Sequence, residues 1–213
     1  MFSNLLKFNF GLKRFIFFCL YLTFSNSFSQ TETKLVDLEK YANEFVFDIR
    51  YATTNNFTKE VLYDCAKCLL LPEVAKAVID ANYYFCDRGY KIKLFDCYRP
   101  LSVQKKMWNK VPNPIYVADP SKGSVHNRGA AVDLTLITLD GEPMNMGTDY
   151  DFFGRAAHID NFNLPAEVLA NRKLLQEGML QFGFATIQSE WWHFNFRNKS
   201  GAPILDDSFP CEN

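Results

Sequence analysis

A histidine and a carboxylate lie seven residues apart in residues 124–133, which read Ser-Val-His-Asn-Arg-Gly-Ala-Ala-Val-Asp. Both His126 and Asp133 are residue types that bind divalent first-row metals. A second stretch, residues 190–193, reads Glu-Trp-Trp-His and adds His193. Because the whole chain contains only three histidines, few nitrogen-rich metal sites can be built from it.

Two histidines and one carboxylate are a sufficient ligand set for a catalytic zinc ion, which keeps one position open for water. We therefore predict that His126, Asp133 and His193 bind one Zn²⁺ per chain. Such an ion lowers the pKa of water to about 7 and polarises a substrate carbonyl. The small residues Gly129 and Ala131 fit a tight turn and close packing between the first two ligands. The alternative is that the two histidines are unrelated polar residues.

A hydrolytic zinc site also needs a proton shuttle, and Glu190 is the candidate because it lies three residues before a ligand. It could take a proton from water and pass it to a leaving amine. Residues i and i+3 point oppositely on a regular strand, so a turn or bulge should separate Glu190 from His193. The alternative is a solvated charge. The spare histidine, His158, is expected at the surface or behind the ligands.

Four further side chains are candidates for the same site. Arg99 could place a guanidinium beside the developing oxyanion, or it could form a structural ion pair with Asp96. Ser124 could donate to the substrate or cap its loop. Trp191 and Trp192 could wall the pocket, although tryptophans in an aromatic-rich strand also pack in cores.

The elements that must position these residues are indicated by hydrophobic periodicity. Residues 45–51, 91–97, 130–138 and 192–196 are predicted strands. Helical spacing predicts helices over residues 72–88 and 165–182. The Asp140-Gly141 pair predicts a hairpin turn toward Pro143. We predict an α+β fold in which helices pack on a mainly antiparallel sheet in one domain.

The N-terminal region has the pattern of an export signal. Basic residues precede a ten-residue apolar run at residues 15–24, which is short of the ~20 apolar residues that span a bilayer. Ser27 and Ser29 fit a cleavage site. We predict that residues 1–29 are a signal peptide and that residues 30–213 form an exported, periplasmic or secreted domain without stable membrane insertion. A retained anchor is the alternative.

The net charge of −1 predicts neither a nucleic-acid partner nor an anionic membrane surface, and a small polar ligand fits better. Five cysteines follow the predicted signal: Cys65, Cys68, Cys86, Cys97 and Cys211. An oxidising compartment would permit one or two disulfides. The odd count leaves at least one thiol unpaired or bonded between chains. Cys65 and Cys68 have zinc-knuckle spacing, but they lack further ligands, so a disulfide or buried thiol is predicted.

Taken together, the motifs of residues 124–133 and 190–193 resemble the zinc D-alanyl-D-alanine peptidases. Residues 96–100, Asp-Cys-Tyr-Arg-Pro, and the Glu-Trp-Trp-His motif resemble the D-alanyl-D-alanine dipeptidase branch in particular, including the vancomycin-resistance dipeptidase. The likeness extends from about residue 45 to residue 196. Cys97 departs from it, because relatives often have glycine there.

The resemblance implies zinc ligation by His126, Asp133 and His193, with Glu190 as the general base and acid and Arg99 stabilising the transition state. It also implies that Tyr51 and Asp151 help to hold the free ammonium of a dipeptide. We therefore expect a zinc dipeptidase that hydrolyses D-alanyl-D-alanine or similar D,D-dipeptides, with Ser124 and Trp191 as further substrate contacts. The alternatives are a D,D-carboxypeptidase acting on peptidoglycan stem peptides and a non-catalytic, zinc-stabilised binding module.

Overall fold

A computed structural model of the chain describes residues 34–41 and 44–211. The predicted signal peptide, residues 1–29, lies outside the described residues. Within the described part of the chain, no helix has the length and apolar character needed to cross a membrane.

Two sheets are formed by the seven strands of the described residues. The strands are β1 Val36–Asp37, β2 Val46–Phe47, β3 Leu69–Leu70, β4 Tyr90–Asp96, β5 Ala131–Thr138, β6 Phe184–Thr186 and β7 His193–Phe196. The central sheet has the order β2-β4-β5-β7-β6, and only its β2–β4 pair is parallel. Strands β1 and β3 form a separate antiparallel pair. The prediction of a mainly antiparallel α+β fold is confirmed.

Three α-helices accompany the sheets: α1 Pro72–Cys86, α2 Leu101–Lys110 and α3 Ala166–Gln181. Both α1 and α3 begin and end close to the predicted bounds. Leu71 occupies the position before the first helical residue, Pro72, and makes no side-chain capping bond; proline is well tolerated at a first helical position. On α1 the buried face includes Phe85, whereas the neighbouring Tyr84 is only half-buried.

Strand β5 lies in the middle of the central sheet, and all its residues except Thr138 are buried. Its pairing with β4 contains an irregularity between Leu94 and Asp96, so that Asp96 lies opposite Asp133. Beyond β5, the predicted hairpin turn is present: Thr138 N–H donates to Glu142 O at 2.8 Å.

The predicted first strand, residues 45–51, is shorter in the structure. Only Val46–Phe47 pairs with β4, and Arg50–Ala52 form a 3₁₀ turn. The turn is closed by backbone hydrogen bonds, from Ala52 N–H to Ile49 O and from Thr53 N–H to Arg50 O, each at 3.1 Å. This edge strand is hydrogen-bonded on one side alone, so little holds the chain in an extended conformation beyond Phe47.

Close packing between α3 and α1 depends on Gly178. A β-carbon at this position would lie 2.3 Å from Cζ of the fully buried Phe85 ring. Overpacking a core costs about 1–3 kcal/mol, whereas alanine in a helix gains only ~1 kcal/mol over glycine. We therefore expect Gly178→Ala to lower the free energy of unfolding by roughly 1 kcal/mol in urea denaturation.

A Phe85→Leu background is the control for this prediction, because leucine leaves room beside position 178. The penalty of Gly178→Ala should shrink in that background, as a coupled pair does in a double-mutant cycle. An equal penalty in both backgrounds would show that the ring contact is not its cause.

Two disulfides join Cys65 to Cys211 and Cys68 to Cys97, and Cys86 is a free, half-buried thiol. The two closely spaced cysteines therefore enter different disulfides, and neither binds a metal. One thiol stays unpaired, as the odd count predicts. Disulfides are typical of extracellular and periplasmic proteins, so the chain has the cysteine chemistry of an oxidising compartment.

Candidate metal centre

Strand pairing brings two of the predicted ligands together. Asp133 on β5 lies directly opposite His193, the first residue of β7. Directly opposed residues of an antiparallel pair have β-carbons about 4.5–5.5 Å apart, so both side chains reach the same point on one face of the sheet. His126 enters from a 3₁₀ turn, His126–Arg128, that ends five residues before β5 reaches Asp133.

Gly129 makes that turn possible. Its φ of 63° is in the left-handed region, which L side chains rarely adopt. A β-carbon there would also lie 3.3 Å from the backbone nitrogen of Leu71, which donates to Gly129 O at 2.9 Å. Glycine is therefore required both by the backbone conformation and by the close approach of the neighbouring chain.

Three ligand atoms converge in the buried site. Nε2 of His126 lies 3.1 Å from Nδ1 of His193, and Oδ1 of Asp133 lies 2.9 Å from that Nδ1 and 3.2 Å from that Nε2. Ligands held about 2.0–2.1 Å from a tetrahedral zinc ion are roughly 3.3 Å apart. The separations thus fit one small metal ion.

The proton positions on the two imidazoles support the same conclusion. Nδ1 of His126 donates to Cys97 O at 2.6 Å, and Nε2 of His193 donates to Asn195 Oδ1 at 2.8 Å. The other ring nitrogens, which face each other and Asp133, then carry lone pairs. Three electron pairs aimed at one point are satisfied by a cation, and such outer hydrogen bonds are usual for metal-binding histidines.

The third ligand is a fixed anion. Burial alone would raise the pKa of the Asp133 carboxyl, but His126 and His193 hold it well below its usual range. The other carboxylate oxygen, Oδ2, accepts a hydrogen bond from Tyr150 Oη at 2.9 Å. Asp133 therefore presents a single oriented oxygen to the metal position.

Glu190 lies in the loop between β6 and β7, and the chain bends at Trp191 and Trp192 before it reaches His193. The chain therefore turns between Glu190 and His193, as their three-residue spacing requires. Oε2 of Glu190 is 3.9 Å from Nδ1 of His193. Burial raises the pKa of Glu190 to about 8, which is in the range suited to proton transfer near neutral pH.

Arg99 is buried and faces the same cavity. Its Nε and Nη2 donate to Asp96 Oδ2 at 3.1 and 2.6 Å, and its Nη1 donates to Gln104 Oε1 at 2.8 Å. Nη2 also lies 4.0 Å from Asp133 Oδ2. The ion pair with Asp96, considered as an alternative role, is present, and it fixes the guanidinium beside the metal position.

The ligands open into a cavity of about 230 Å³. This volume is below the ~300–1,000 Å³ of sites for drug-sized ligands, so the cavity suits a small molecule. It is lined by nine of the residues singled out from the sequence: Tyr51, Arg99, Ser124, His126, Asp133, Asp151, Glu190, Trp192 and His193.

The predicted substrate contact Trp191 does not line this cavity. Its indole Nε1 donates to Thr148 Oγ1 at 2.8 Å, beside a separate, smaller cavity. Trp192 lines the main cavity instead, and the two indole planes are 87° apart. Trp191 and Trp192 lie at a bend of the chain and their side chains diverge, so only Trp192 faces the main cavity.

At the far side of the cavity, Tyr51 Oη donates to Asp151 Oδ1 at 3.0 Å. Burial, followed by the charge of Asp133, raises the pKa of Asp151 to about 7. A neighbouring cation would favour the ionised form. Ser124 Oγ accepts from His126 N–H at 3.2 Å, so it caps the ligand turn and also borders the cavity.

The family model for Peptidase M15, D-Ala-D-Ala dipeptidase, matches residues 31–213. The chain belongs to this family. It is 35% identical to the D-alanyl-D-alanine dipeptidase of Escherichia coli strain K12, over 84% of this chain and 93% of the relative. It is 29% identical to the D-alanyl-D-alanine dipeptidase of Enterococcus faecium, over 76% of this chain and 91% of the relative.

Among solved structures, the chain is similar to VanYB in complex with D-alanine-D-alanine, with a TM-score of 0.46 and 13% identity. That match covers 81% of this chain and 82% of the other. As a member of the M15 D-Ala-D-Ala dipeptidase family, the protein is a metallopeptidase. His126, Asp133 and His193 form a buried group whose ligand atoms are close enough together to hold a metal ion.

Three residues of the dipeptidase site did not emerge from the sequence. Asn195 is separated from His193 by one residue, so strand alternation places both on one face, and that signal could have found it. Tyr150 is adjacent to Asp151 but has the character of a core aromatic. Gln104 occupies a buried helix position, where its side chain joins Arg99 to the cavity wall by donating to Ala118 O at 2.8 Å.

Proposed function

We propose that the protein is a zinc-dependent dipeptidase that hydrolyses D-alanyl-D-alanine, or a similar D,D-dipeptide, to free amino acids. One zinc ion per chain would be held by His126, Asp133 and His193. The observation that carries the proposal is the convergence of these three ligand atoms in a small cavity beside Glu190 and Arg99. A purely structural zinc site is usually closed by four protein ligands, and this one offers three.

Zinc supplies a Lewis acid for the substrate carbonyl and water acidic enough to be deprotonated near neutral pH. Glu190 accepts the proton of the attacking water and returns it to the leaving amine nitrogen, as its elevated pKa permits. Arg99 donates to the oxygen on which negative charge develops, and its bonds to Asp96 and Gln104 preorganise it for that task.

The ends of the cavity would select a free dipeptide. The Asp151 carboxylate, oriented by Tyr51, is placed to accept hydrogen bonds from the substrate ammonium. Ser124, which also lines the cavity, could donate to the substrate. A stem peptide has a blocked amine at the equivalent position and a longer chain, so the small volume and the buried carboxylate favour a dipeptide.

We also propose that residues 1–29 are an export signal and that residues 30–213 form the dipeptidase domain. The two disulfides support an oxidising destination, because reducing cytosol disfavours such bonds. The product would then be released outside the cytoplasm.

The function can be tested with metal-stripped protein supplied with zinc and assayed on three substrates. We expect one equivalent of zinc to restore hydrolysis of D-alanyl-D-alanine, with little activity on L-alanyl-L-alanine or on a pentapeptide ending in D-alanyl-D-alanine. Cleavage of the pentapeptide alone would identify a D,D-carboxypeptidase. Stoichiometric zinc binding without hydrolysis of any of the three would identify a binding module.

A further inference from the structure

A disulfide lies directly behind the metal centre. Cys97 follows the last residue of β4, and Cys68 immediately precedes β3. Their sulfur atoms are bonded, and both residues are fully buried. The bond therefore links the small β1–β3 sheet to the end of β4, a strand of the central sheet.

The segment that this disulfide anchors also orients a metal ligand. Cys97 O accepts the hydrogen bond from Nδ1 of His126 at 2.6 Å. Arg99 N–H donates to His126 O at 3.1 Å, and Asn127 Nδ2 donates to Arg99 O at 2.8 Å. The ring and the backbone of His126 are thus both held by the residues that immediately follow β4.

Besides the disulfide, backbone hydrogen bonds connect this segment and the ligand turn to β3 and its flank. Tyr98 N–H donates to Leu69 O at 2.9 Å, and Leu71 N–H donates to Gly129 O at 2.9 Å. Both bonds depend on β3, which is two residues long and pairs only with β1. A two-stranded unit of this kind is marginally stable by itself, and the disulfide is the covalent link between it and the segment that carries the Cys97 carbonyl.

We propose that the Cys68–Cys97 disulfide is a positioning element of the metal centre, holding the carbonyl that orients His126 and thereby setting the zinc affinity. The proposal rests on the proposed zinc function. Outer hydrogen-bond partners of metal ligands contribute about 10–100-fold in metal affinity. Because a displaced carbonyl still leaves the ligand itself present, we expect an effect near the lower end, about 10-fold.

The second disulfide provides a matched control. Cys65–Cys211 joins a half-buried cysteine to the C-terminal segment, and neither partner lines the cavity or bonds a metal ligand. Removing it should destabilise the fold, since a disulfide constrains the unfolded chain, but it should leave His126 in place. Comparing the loss of each disulfide therefore distinguishes an effect on the position of His126 from an effect on the stability of the fold.

The test compares Cys68→Ala/Cys97→Ala with Cys65→Ala/Cys211→Ala in the full chain. Zinc dissociation constants are measured by chelator competition, and the visible spectrum of the Co²⁺-substituted protein reports ligand geometry. We expect about 10-fold weaker zinc binding and an altered Co²⁺ spectrum for the first variant, and values near wild type for the second. Equal affinities and spectra in both variants would overturn the proposal.

A further sample addresses the case in which the first variant does not fold. In the Cys65→Ala/Cys211→Ala variant, the Cys68–Cys97 disulfide is the remaining one of the two. Folding this variant with a phosphine reductant therefore removes that bond, while the sulfur atoms of Cys68 and Cys97 still occupy the core. Weaker zinc binding in the reduced sample supports the proposal, and unchanged binding contradicts it. A wild-type chain that binds no zinc would instead contradict the proposed function.

Discussion

Glu190→Gln is expected to lower kcat for D-alanyl-D-alanine by about 10²–10⁴-fold, the range that general acid–base catalysis contributes. The amide has nearly the same shape as the carboxyl but cannot accept the proton of water. Glu190 is 3.9 Å from the nearest ligand nitrogen and is not itself in the ligand group, so zinc content should stay at one equivalent. Steady-state kinetics and metal analysis of the same samples check both points.

Glu142→Gln is a matched control, because Glu142 is an exposed carboxylate beyond the end of β5. It should change neither kcat nor zinc content. Full activity of the Glu190→Gln variant with zinc bound would remove Glu190 from the proposed mechanism. Loss of zinc from that variant would show that this carboxylate supports the metal instead.

Arg99→Lys is expected to lower kcat by about 10²–10³-fold, comparable to the loss of one oxyanion donor. Lysine keeps the positive charge that faces the buried Asp96, so the fold should be retained. It lacks the planar fork that lets Arg99 bond Asp96 and Gln104 while facing the cavity. The substituted ammonium should therefore sit on Asp96 and leave the oxyanion position without a donor.

Kinetics on the dipeptide should show the Arg99→Lys effect mainly in kcat, because the missing donor acts on charge that develops in the transition state. Arg88→Lys is the control, since Arg88 is exposed and its Nη1 donates only to Tyr84 O of the same helix region. A rise in KM at unchanged kcat would assign Arg99 to ground-state binding.

The ligand group could be predicted from the sequence because its chemistry is carried by scarce side chains. With three histidines in the chain, His126 and His193 had few alternative partners, and Asp133 followed at a short spacing. The need for a turn after Glu190 also followed from strand geometry alone. The predicted strands and helices were sufficient to place these residues at element ends.

Other parts of the site depend on contacts that leave no side-chain signal. The partner of His126 Nδ1 is the backbone oxygen of Cys97, and any residue could supply that atom. Disulfide connectivity likewise depends on which segments meet in space. The spacing of Cys65 and Cys68 could therefore not reveal that they bond to Cys211 and Cys97, respectively. Trp191 and Trp192 are adjacent and identical in type, so the sequence could not indicate which of them faces the main cavity.

The strand order of the central sheet has a consequence for how the chain is made. Strand β7 lies between β5 and β6, although it is the last strand to be synthesised. Until it inserts, β5 presents an unpaired edge along a buried, apolar strand, which is a template for association with other chains. The same insertion delivers His193 to Asp133. Covering that edge and completing the group of His126, Asp133 and His193 therefore depend on the same strand.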